Sequence, residues 1–330
     1  MSLRRRLESW LQGRWYGEQQ PGIVLRGLAR LQAGLVRLNR RRAATAWRAP
    51  VPVVVVGNLT AGGTGKTPFV AWLAAALKRR GLQVGVVSRG YGRRSRDCLL
   101  VEANSDWRRV GDEPLLLQRL TGCPVAVGAD RPQACRLLLS HFSLDLIVSD
   151  DGLQHYPLAR DREIAVIDGK RGFGNGRLIP AGPLREPLER LDQVHWRVWN
   201  GQRPEAESGL LMQLRTDSAV NLMDGRRRPL SDFAPGPVRA VAGMGAPQRF
   251  FDTLAGYNIE LIEEAPGDHA RWQAEQDDGT TVLMTDKDAV KLGERAAAHW
   301  WRVPVEAELD DAGAMLDELV ALCRRWQDRD

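Results

Sequence analysis

Residues 53–67 read VVVVGNLTAGGTGKT, and this stretch decides the fold. Its opening run of valines is typical of a buried strand, and a turn containing three glycines leads from that strand to Lys66 and Thr67, where a helix is predicted to begin. Glycines let successive backbone N–H groups turn inward around phosphate oxygens, and the N-terminus of a helix adds partial positive charge. The sequence therefore predicts a phosphate-binding loop between a strand and a helix.

The loop also predicts which residues bind ATP and its metal ion. Lys66 is expected to reach the β- and γ-phosphates and to act in catalysis, and Thr67 is expected to contact Mg²⁺. The usual pattern begins with a glycine at the position of Thr60, but the glycines that form the cradle itself are present. The predicted ATP-binding residues are Thr60, Ala61, Gly62, Gly63, Thr64, Gly65, Lys66 and Thr67.

A second apolar segment supplies acidic partners for a metal ion. Residues 146–148 are apolar and are followed by Ser149, Asp150 and Asp151. A nucleotide site of this kind needs a carboxylate at the end of a neighbouring strand to hold Mg²⁺. A single aspartate after a strand commonly belongs to a solvated loop. That explanation is weaker for two consecutive aspartates in a chain that also carries a phosphate-binding loop. We assign Asp150 to the metal and predict that Asp151 is linked to the metal or orders water.

The rest of the chain alternates strand and helix signals. Short apolar segments are typical of strands at residues 84–87, 125–127, 144–148 and 164–167, and helices are predicted at residues 68–80, 113–120 and 131–141. Buried apolar strands that alternate with helices indicate a parallel sheet covered on both faces. The predicted fold class is α/β, with a P-loop NTPase-like, doubly wound, mostly parallel sheet, a smaller C-terminal α/β domain and an N-terminal amphipathic helix.

This pattern divides the chain into four predicted parts. Residues 1–48 form a basic amphipathic helical segment, and residues 49–215 form the nucleotide-binding domain. Residues 216–236 are polar and rich in turn residues, which predicts a linker or hairpin. Residues 237–330 form the smaller α/β domain.

Composition limits the class of protein. The 330 residues are 43% hydrophobic and 27% charged, which predicts a folded chain of about two domains. No run of 18 or more apolar residues occurs, so no conventional transmembrane helix is expected. The four cysteines have no metal-ligand spacing, and we expect them to be reduced thiols of a cytosolic protein.

The net charge of +6 is concentrated at the N-terminus, where the first 50 residues carry +9 and the other 280 carry −3. Nucleic-acid-binding proteins usually spread basic residues over a folded face, so no nucleic acid partner is expected. Val24, Leu28, Leu31, Leu35 and Leu38 share one face of a predicted helix. Such a helix either packs on the protein's own core or lies in a membrane interface, and its arginines and the nearby tryptophans favour the membrane surface.

Several ordered motifs together resemble the tetraacyldisaccharide 4'-kinase family of the lipid A pathway in Gram-negative bacteria. The motifs are TAGGTGKT at 60–67, SRGYG at 88–92, GDEP at 111–114, SDDGLQH at 149–155, FGNGRLIPAGPLREP at 173–187 and TDKD at 285–288. The resemblance implies transfer of the γ-phosphate of ATP to the 4'-hydroxyl of a tetraacyldisaccharide 1-phosphate. It also implies a peripheral protein at the cytoplasmic face of the inner membrane, and it makes residues 49–215 the kinase domain.

The resemblance further implies a catalytic base. A sugar hydroxyl is a poor nucleophile unless its proton is removed as it attacks. In the family this role falls to the aspartate of the GDEP motif, here Asp112, assisted by the histidine of a short Asp-His motif, here Asp268 and His269. Glu113 is expected to help hold Mg²⁺ or to orient Asp112. Judged on local sequence alone, Asp112 is better explained as a carboxylate that caps a helix, and the resemblance reverses that interpretation.

Five further residues are candidates for substrate binding or for supporting the site: Arg89, Tyr91, Gln154, His155 and Arg185. Arg89 and Tyr91 follow a predicted strand, although the glycines beside them are also typical of a simple turn. Gln154 and His155 adjoin the acidic pair, and Arg185 either binds a phosphate or lies on the surface. Lys287 of the TDKD motif is a candidate nucleotide contact.

Two other classes of protein share a loop of this kind. A membrane-associated P-loop ATPase that acts as a switch commonly carries a second lysine early in its loop, and residues 60–65 contain none. A non-catalytic nucleotide-binding scaffold has no need of paired carboxylates. The dependence of ATP consumption on the lipid acceptor separates the kinase from the switch. A kinase consumes ATP in step with lipid phosphorylation, whereas a switch hydrolyses ATP without lipid.

Overall fold

The computed structural model describes residues 3–17, 19–93, 95–244, 247–267, 270–273, 277–293 and 295–328. The strands within these residues are β1 (Val53–Gly57), β2 (Val84–Ser88), β3 (Leu99–Val101), β4 (Val125–Val127), β5 (Leu146–Asp150), β6 (Arg162–Asp168), β7 (Trp196–Asn200), β8 (Leu210–Arg215), β9 (Ser218–Asn221), β10 (Arg227–Pro229), β11 (Pro237–Val241), β12 (Glu260–Glu264), β13 (Val282–Thr285), β14 (Trp300–Val303) and β15 (Glu306–Leu309). The helices are α1 (Leu3–Tyr16), α2 (Ile23–Arg40), α3 (Lys66–Arg79), α4 (Trp107–Val110), α5 (Asp112–Thr121), α6 (Arg131–Leu139), α7 (Gln248–Ala255), α8 (Asp286–Ala289) and α9 (Gly313–Gln327).

The larger sheet confirms the predicted fold class. Its strand order is β15-β8-β7-β6-β1-β5-β2-β4-β3, with seven parallel strands from β8 to β4 and an antiparallel strand at each edge. The central strand β1 begins the phosphate-binding loop, and its neighbours β5 and β6 run parallel to it. The carboxyl ends of β1 and β5 therefore meet at one edge of the sheet.

The valine run of β1 is buried because both faces of the sheet are covered. Alternate residues of a strand point to opposite faces. Val54 lies in one core with Leu73 of α3, whereas Val55 lies in the other with Leu138 of α6. A strand that is buried on both sides needs apolar residues at every position, which is why the sequence shows a continuous run instead of alternation.

The smaller sheet has the order β10-β9-β14-β13-β11-β12. Strands β14, β13, β11 and β12 are parallel, and β9 pairs antiparallel with β14 and with β10. The segment predicted as a linker or hairpin supplies β9 and β10, so these residues extend the smaller sheet.

The chain then returns to the larger sheet. Strand β15 pairs antiparallel with β8, with Leu309 opposite Met212. Met315 and Leu319 of α9 lie in the same core as Val54 of β1. Burial of this apolar face of α9 requires the larger sheet, although the sequence assigned residues 306–327 to the smaller domain. The predicted domain bounds otherwise stay a prediction.

The N-terminal segment forms α1 and α2. The side chains of Ile23, Val24, Leu28, Leu31, Leu35 and Leu38 on α2 are between 46 and 80% exposed, so this apolar stripe does not pack on the core. The end of the helix is attached to the rest of the fold, because Asn39 donates to the Gln154 carbonyl (3.0 Å) and Arg40 donates to the Tyr156 hydroxyl (3.2 Å). Across the described ranges, no helix has the length and apolar character needed to cross a membrane.

Candidate active site

The phosphate-binding loop follows β1, and three side chains donate hydrogen bonds to its backbone carbonyl groups. Asn58 donates to the carbonyls of Thr60 (2.8 Å) and Gly62 (3.3 Å). Asn200, at the end of β7, donates to the Thr64 carbonyl (3.1 Å), and Arg171 donates to the Gly63 carbonyl. These contacts fix the backbone direction of residues 60–64.

Backbone geometry explains two of the loop glycines. Gly62 and Gly65 have φ values of +105° and +90°, a region that favours glycine. A Cβ on Gly65 would also lie 2.7 Å from the side-chain nitrogen of Asn200. The bracing residues Asn58, Asn200 and Arg171 were missed in the sequence. Asn58 stands inside the quoted stretch, but the other two are distant in the chain and carry no local signal.

Lys66 and Thr67 are the first two residues of α3, as the loop motif predicts. Lys66 Nζ lies 3.5 Å from Asp151 Oδ1. The loop lysine therefore contacts one of the two predicted acidic partners directly.

The acidic pair lies at the end of β5, beside β1. Asp150 is opposite Val56 in the parallel register and is buried, and its Oδ2 accepts from the Ser88 hydroxyl (3.1 Å). Asp151 follows the strand with φ +49°, which is uncommon for a residue other than glycine. Arg185 Nη1 donates to both Asp151 carboxylate oxygens (3.0 and 3.1 Å). The structure therefore brings Arg185 into the site and does not leave it on the open surface.

The two aspartates have opposite pKa shifts. Burial, reinforced by the charges of Glu113 and Asp151, raises the pKa of Asp150 to about 7 against the opposing effect of Lys66 and Arg131. Burial acts to raise the pKa of Asp151 too, but the charges of Lys66 and Arg185 outweigh it and lower this pKa to about 2. The charge of Asp151 is thus already balanced by basic side chains. A bound cation would therefore lower the pKa of Asp150 more than that of Asp151.

Asp112 is the first residue of α5, and Gly111 occupies the N-cap position with φ +96°. The Asp112 side chain is buried, and its Oδ1 accepts from the Glu113 backbone N–H (2.9 Å). Asp112 therefore bonds one N–H at the start of the helix, as a capping carboxylate would, while its other oxygen, Oδ2, faces two lysines from the smaller sheet.

Lys287 is one of those lysines. Its Nζ lies 3.2 Å from Glu113 Oε1 and 3.8 Å from Asp112 Oδ2. Its predicted contact with nucleotide stays a prediction. The second lysine, Lys291, has its Nζ 3.8 Å from Asp112 Oδ2 and was missed in the sequence.

The other predicted site residues lie around the loop and the acidic pair, and they make different contacts. Gln154 Nε2 donates to the Asn58 carbonyl (3.1 Å) and to Glu186 Oε2 (3.3 Å), so it supports the start of the loop. Burial, with the charges of Arg131 and Arg160, lowers the pKa of His155 to about 4, so its ring is neutral at pH 7. Arg89 and Tyr91 follow β2 at the same sheet edge and are exposed. Asp268 and His269 lie outside the described residues.

Several known kinases are similar to this chain in sequence or structure. Residues 22–324 match the family model described as LpxK: Tetraacyldisaccharide-1-P 4'-kinase. The tetraacyldisaccharide 4'-kinase of Pseudomonas paraeruginosa (strain DSM 24068 / PA7) is 48% identical over 304 residues, covering 89% of this chain and 91% of that protein. Its counterpart from Azotobacter vinelandii is 47% identical over 313 residues, covering 92% of each. The crystal structure of an "apo" form of LpxK from Aquifex aeolicus in complex with ATP has a TM-score of 0.78 and 27% identity, covering 90% of this chain and 97% of that chain.

Proposed function

Because the chain belongs to the tetraacyldisaccharide 4'-kinase family, we propose that its site at the ends of β1 and β5 transfers the γ-phosphate of ATP to the 4'-hydroxyl of a tetraacyldisaccharide 1-phosphate. The enzyme is a kinase of lipid A biosynthesis that uses ATP. One observation carries the assignment to this site. Lys66 Nζ lies 3.5 Å from Asp151 Oδ1, so the lysine of the phosphate-binding loop meets the acidic pair at the end of β5.

The residues of this site divide the reaction between them. The backbone N–H groups of residues 60–67 bind the phosphates, and Lys66 stabilises negative charge on the γ-phosphate as it is transferred. Asp112 accepts the proton of the 4'-hydroxyl while the new O–P bond forms and the bond between the γ-phosphorus and the bridging oxygen breaks, which releases ADP. Asp112 is positioned for this role, because its Oδ1 accepts from the Glu113 N–H at the start of α5 and its Oδ2 lies 3.8 Å from both Lys287 Nζ and Lys291 Nζ. His269 remains the proposed assistant of that base.

The acidic residues fit Mg²⁺ as well. No group of three or more His, Cys, Asp or Glu side chains in the described ranges is arranged to hold a metal by itself. Mg²⁺ is commonly bound through one or two carboxylates together with substrate phosphates, so a smaller protein contribution is sufficient. Thr67 and Asp150 would hold the ion, with Glu113 and Asp151 nearby, and its charge would neutralise the phosphate oxygens. The raised pKa of Asp150 supports this assignment, because crowded carboxylates favour a bound cation.

The acceptor is a lipid, and the N-terminal helices offer a way to reach it. Helix α2 exposes an apolar stripe next to Arg26, Arg30 and Arg37. A helix of this kind binds the interface of an anionic membrane, where apolar side chains enter the acyl boundary and arginines attract headgroups. Arg40, at the end of the same helix, lies 3.5 Å from Glu186, the neighbour in sequence of Arg185, which contacts Asp151. We therefore place the enzyme at the cytoplasmic face of the inner membrane, as a peripheral protein held by this helix.

Transfer of radiolabel tests the proposal. γ-Labelled ATP is incubated with the protein and a tetraacyldisaccharide 1-phosphate in mixed micelles, with and without Mg²⁺, beside a control without lipid. We expect labelled lipid that depends on Mg²⁺. Release of free phosphate that does not depend on lipid, with no labelled lipid, would favour the ATPase switch.

A further inference from the structure

Lys291 has an unusual environment for a lysine. It lies in the 3₁₀ helix Val290–Leu292 that follows α8, and its side chain is completely buried. Its Nζ lies 3.0 Å from Asp288 Oδ1 and donates to the Ala270 carbonyl (3.0 Å). A buried ammonium is costly unless it is paired and hydrogen-bonded, and here Asp288 and the carbonyl meet that need.

Asp288, in α8, is itself hydrogen-bonded to residues that follow or end strands of the smaller sheet. Its Oδ2 accepts from the Thr285 hydroxyl (2.6 Å) and from the Gly243 N–H (2.7 Å). The Asp288–Lys291 pair therefore joins three segments: Thr285 at the end of β13, Gly243 two residues after β11, and the segment containing Ala270. In the sequence, Ala270 directly follows His269, the proposed assistant of the base.

The same ammonium group faces the larger sheet. Lys291 Nζ lies 3.8 Å from Asp112 Oδ2, and Lys287 Nζ lies at the same distance from that oxygen. Lys287 is 17% exposed and is also 3.2 Å from Glu113, so it shares its charge between two carboxylates. Lys291 has no exposure and is fixed by Asp288, so its position relative to Asp112 is the better defined of the two.

We propose that Lys291 is a positioning residue for phosphoryl transfer, which holds the Asp112 carboxylate in place and fixes the backbone at Ala270. This inference rests on the proposed function, in which Asp112 is the base. The ammonium group of Lys291 touches neither phosphate nor acceptor. It acts through Asp112, by attracting that carboxylate across the boundary between the two sheets, and through Ala270, by fixing the backbone beside the motif.

A set of variants of the full-length protein tests this role. Lys291→Met keeps the length of the side chain and removes its charge, but it leaves Asp288 buried without its partner. Asp288→Asn/Lys291→Met removes the internal ion pair as a unit and so limits the loss of stability. Lys78→Met is a matched control, because Lys78 Nζ donates to the Thr121 carbonyl (2.7 Å) and its loss removes a partly buried lysine elsewhere. Transfer rates are expressed per nucleotide-binding site, so that unfolded protein does not count.

We expect kcat to fall about 10- to 100-fold in both Lys291 variants, the size of effect that misplacement of a catalytic group produces. The KM for ATP stays within about twofold of the starting protein, and Lys78→Met retains its kcat. The higher melting temperature of the double variant does not bring back the rate. Recovery of kcat in the double variant would overturn the proposal, because it would mean that Lys291 serves only stability.

Combination with Asp112→Asn separates this inference from the proposed function. If Lys291 acts through Asp112, Lys291→Met causes little further loss when added to Asp112→Asn. An undiminished loss in that background would overturn the role of Lys291 and leave Asp112 as the base. Full activity of Asp112→Asn alone would instead overturn the assignment of the base, and the inference with it.

Discussion

Lys66 Nζ of the phosphate-binding loop lies 3.5 Å from Asp151 Oδ1, directly after β5. Arg185 contacts the same carboxylate from the other side. Asp151 therefore holds the lysine at the mouth of the loop, and the two cations lower the pKa of this partly exposed carboxyl to about 2. The lysine is in place before phosphate binds, which reduces the reorganisation that catalysis requires.

The first prediction concerns the charge of Lys66. Lys66→Ala is expected to lower kcat for phosphate transfer about 10²- to 10³-fold, because it removes a positive group aimed at charge that develops in the transition state. Labelled lipid formed per minute at saturating ATP gives the rate. Lys78→Ala, later on the same helix, is the control and should retain its activity. Equal rates for the two variants would contradict the role of Lys66.

The second prediction concerns the base. Asp112→Asn should lower transfer by roughly 10²- to 10⁴-fold, the usual contribution of general base catalysis. The asparagine can still accept the Glu113 N–H, so the start of α5 is preserved. Nucleotide affinity, measured by calorimetry, should therefore change little. A variant that turns over normally would remove Asp112 from the mechanism.

The third prediction concerns pH and Mg²⁺. With a pKa of about 7, Asp150 is largely protonated at pH 6 when no cation is bound, and the proton must leave before Mg²⁺ binds. The affinity for Mg²⁺ in the presence of nucleotide should therefore fall as the pH decreases below 7, by up to about tenfold per unit. Calorimetry at pH 6 and pH 8 measures it.

Asp150→Asn is the control for this pH effect. Nucleotide phosphates also bind protons near pH 6, and they cause a pH dependence of their own. The variant should retain only the pH dependence that the nucleotide causes. At pH 8 it should bind Mg²⁺ more weakly than the starting protein does. The same pH dependence in the variant and in the starting protein would assign the whole effect to the nucleotide.

The fourth prediction concerns the exposed stripe of α2. Leu31→Glu/Leu35→Glu should weaken binding to vesicles of anionic phospholipid, because two charged groups would enter the acyl boundary and repel the headgroups. Sedimentation with the vesicles measures the bound fraction. Met223→Glu is the matched control, since Met223 is 63% exposed, close to the 61% of Leu35, and lies outside the helix. Vesicle binding that is equal in the helix variant and the control would exclude α2 as the membrane-binding surface.

The central part of the fold is predictable from local sequence. The strand, loop and helix from Val53 onward follow from short-range patterns: a doubly buried strand needs consecutive apolar residues, and a tight phosphate loop needs glycines with positive φ. The acidic pair, Asp150 and Asp151, was also predictable from sequence, because it follows an apolar strand. These features depend on neighbours in the chain, so residues 53–67 and 146–151 carry the information locally.

Tertiary structure decided which distant residues join them. Asn200 at the end of β7 and Arg171 after β6 brace the loop, and Lys291 approaches Asp112 of α5 from the 3₁₀ helix after α8. The pairing of β15 with β8, and the packing of α9 on the larger core, likewise depend on surfaces that form only after both sheets exist. Burial and charge in the folded protein also separate the pKa values of Asp150 and Asp151, which are adjacent and chemically identical in the chain. Contacts between residues far apart in the chain produce no periodicity or motif spacing in the sequence. Such contacts are therefore visible only once the chain has folded.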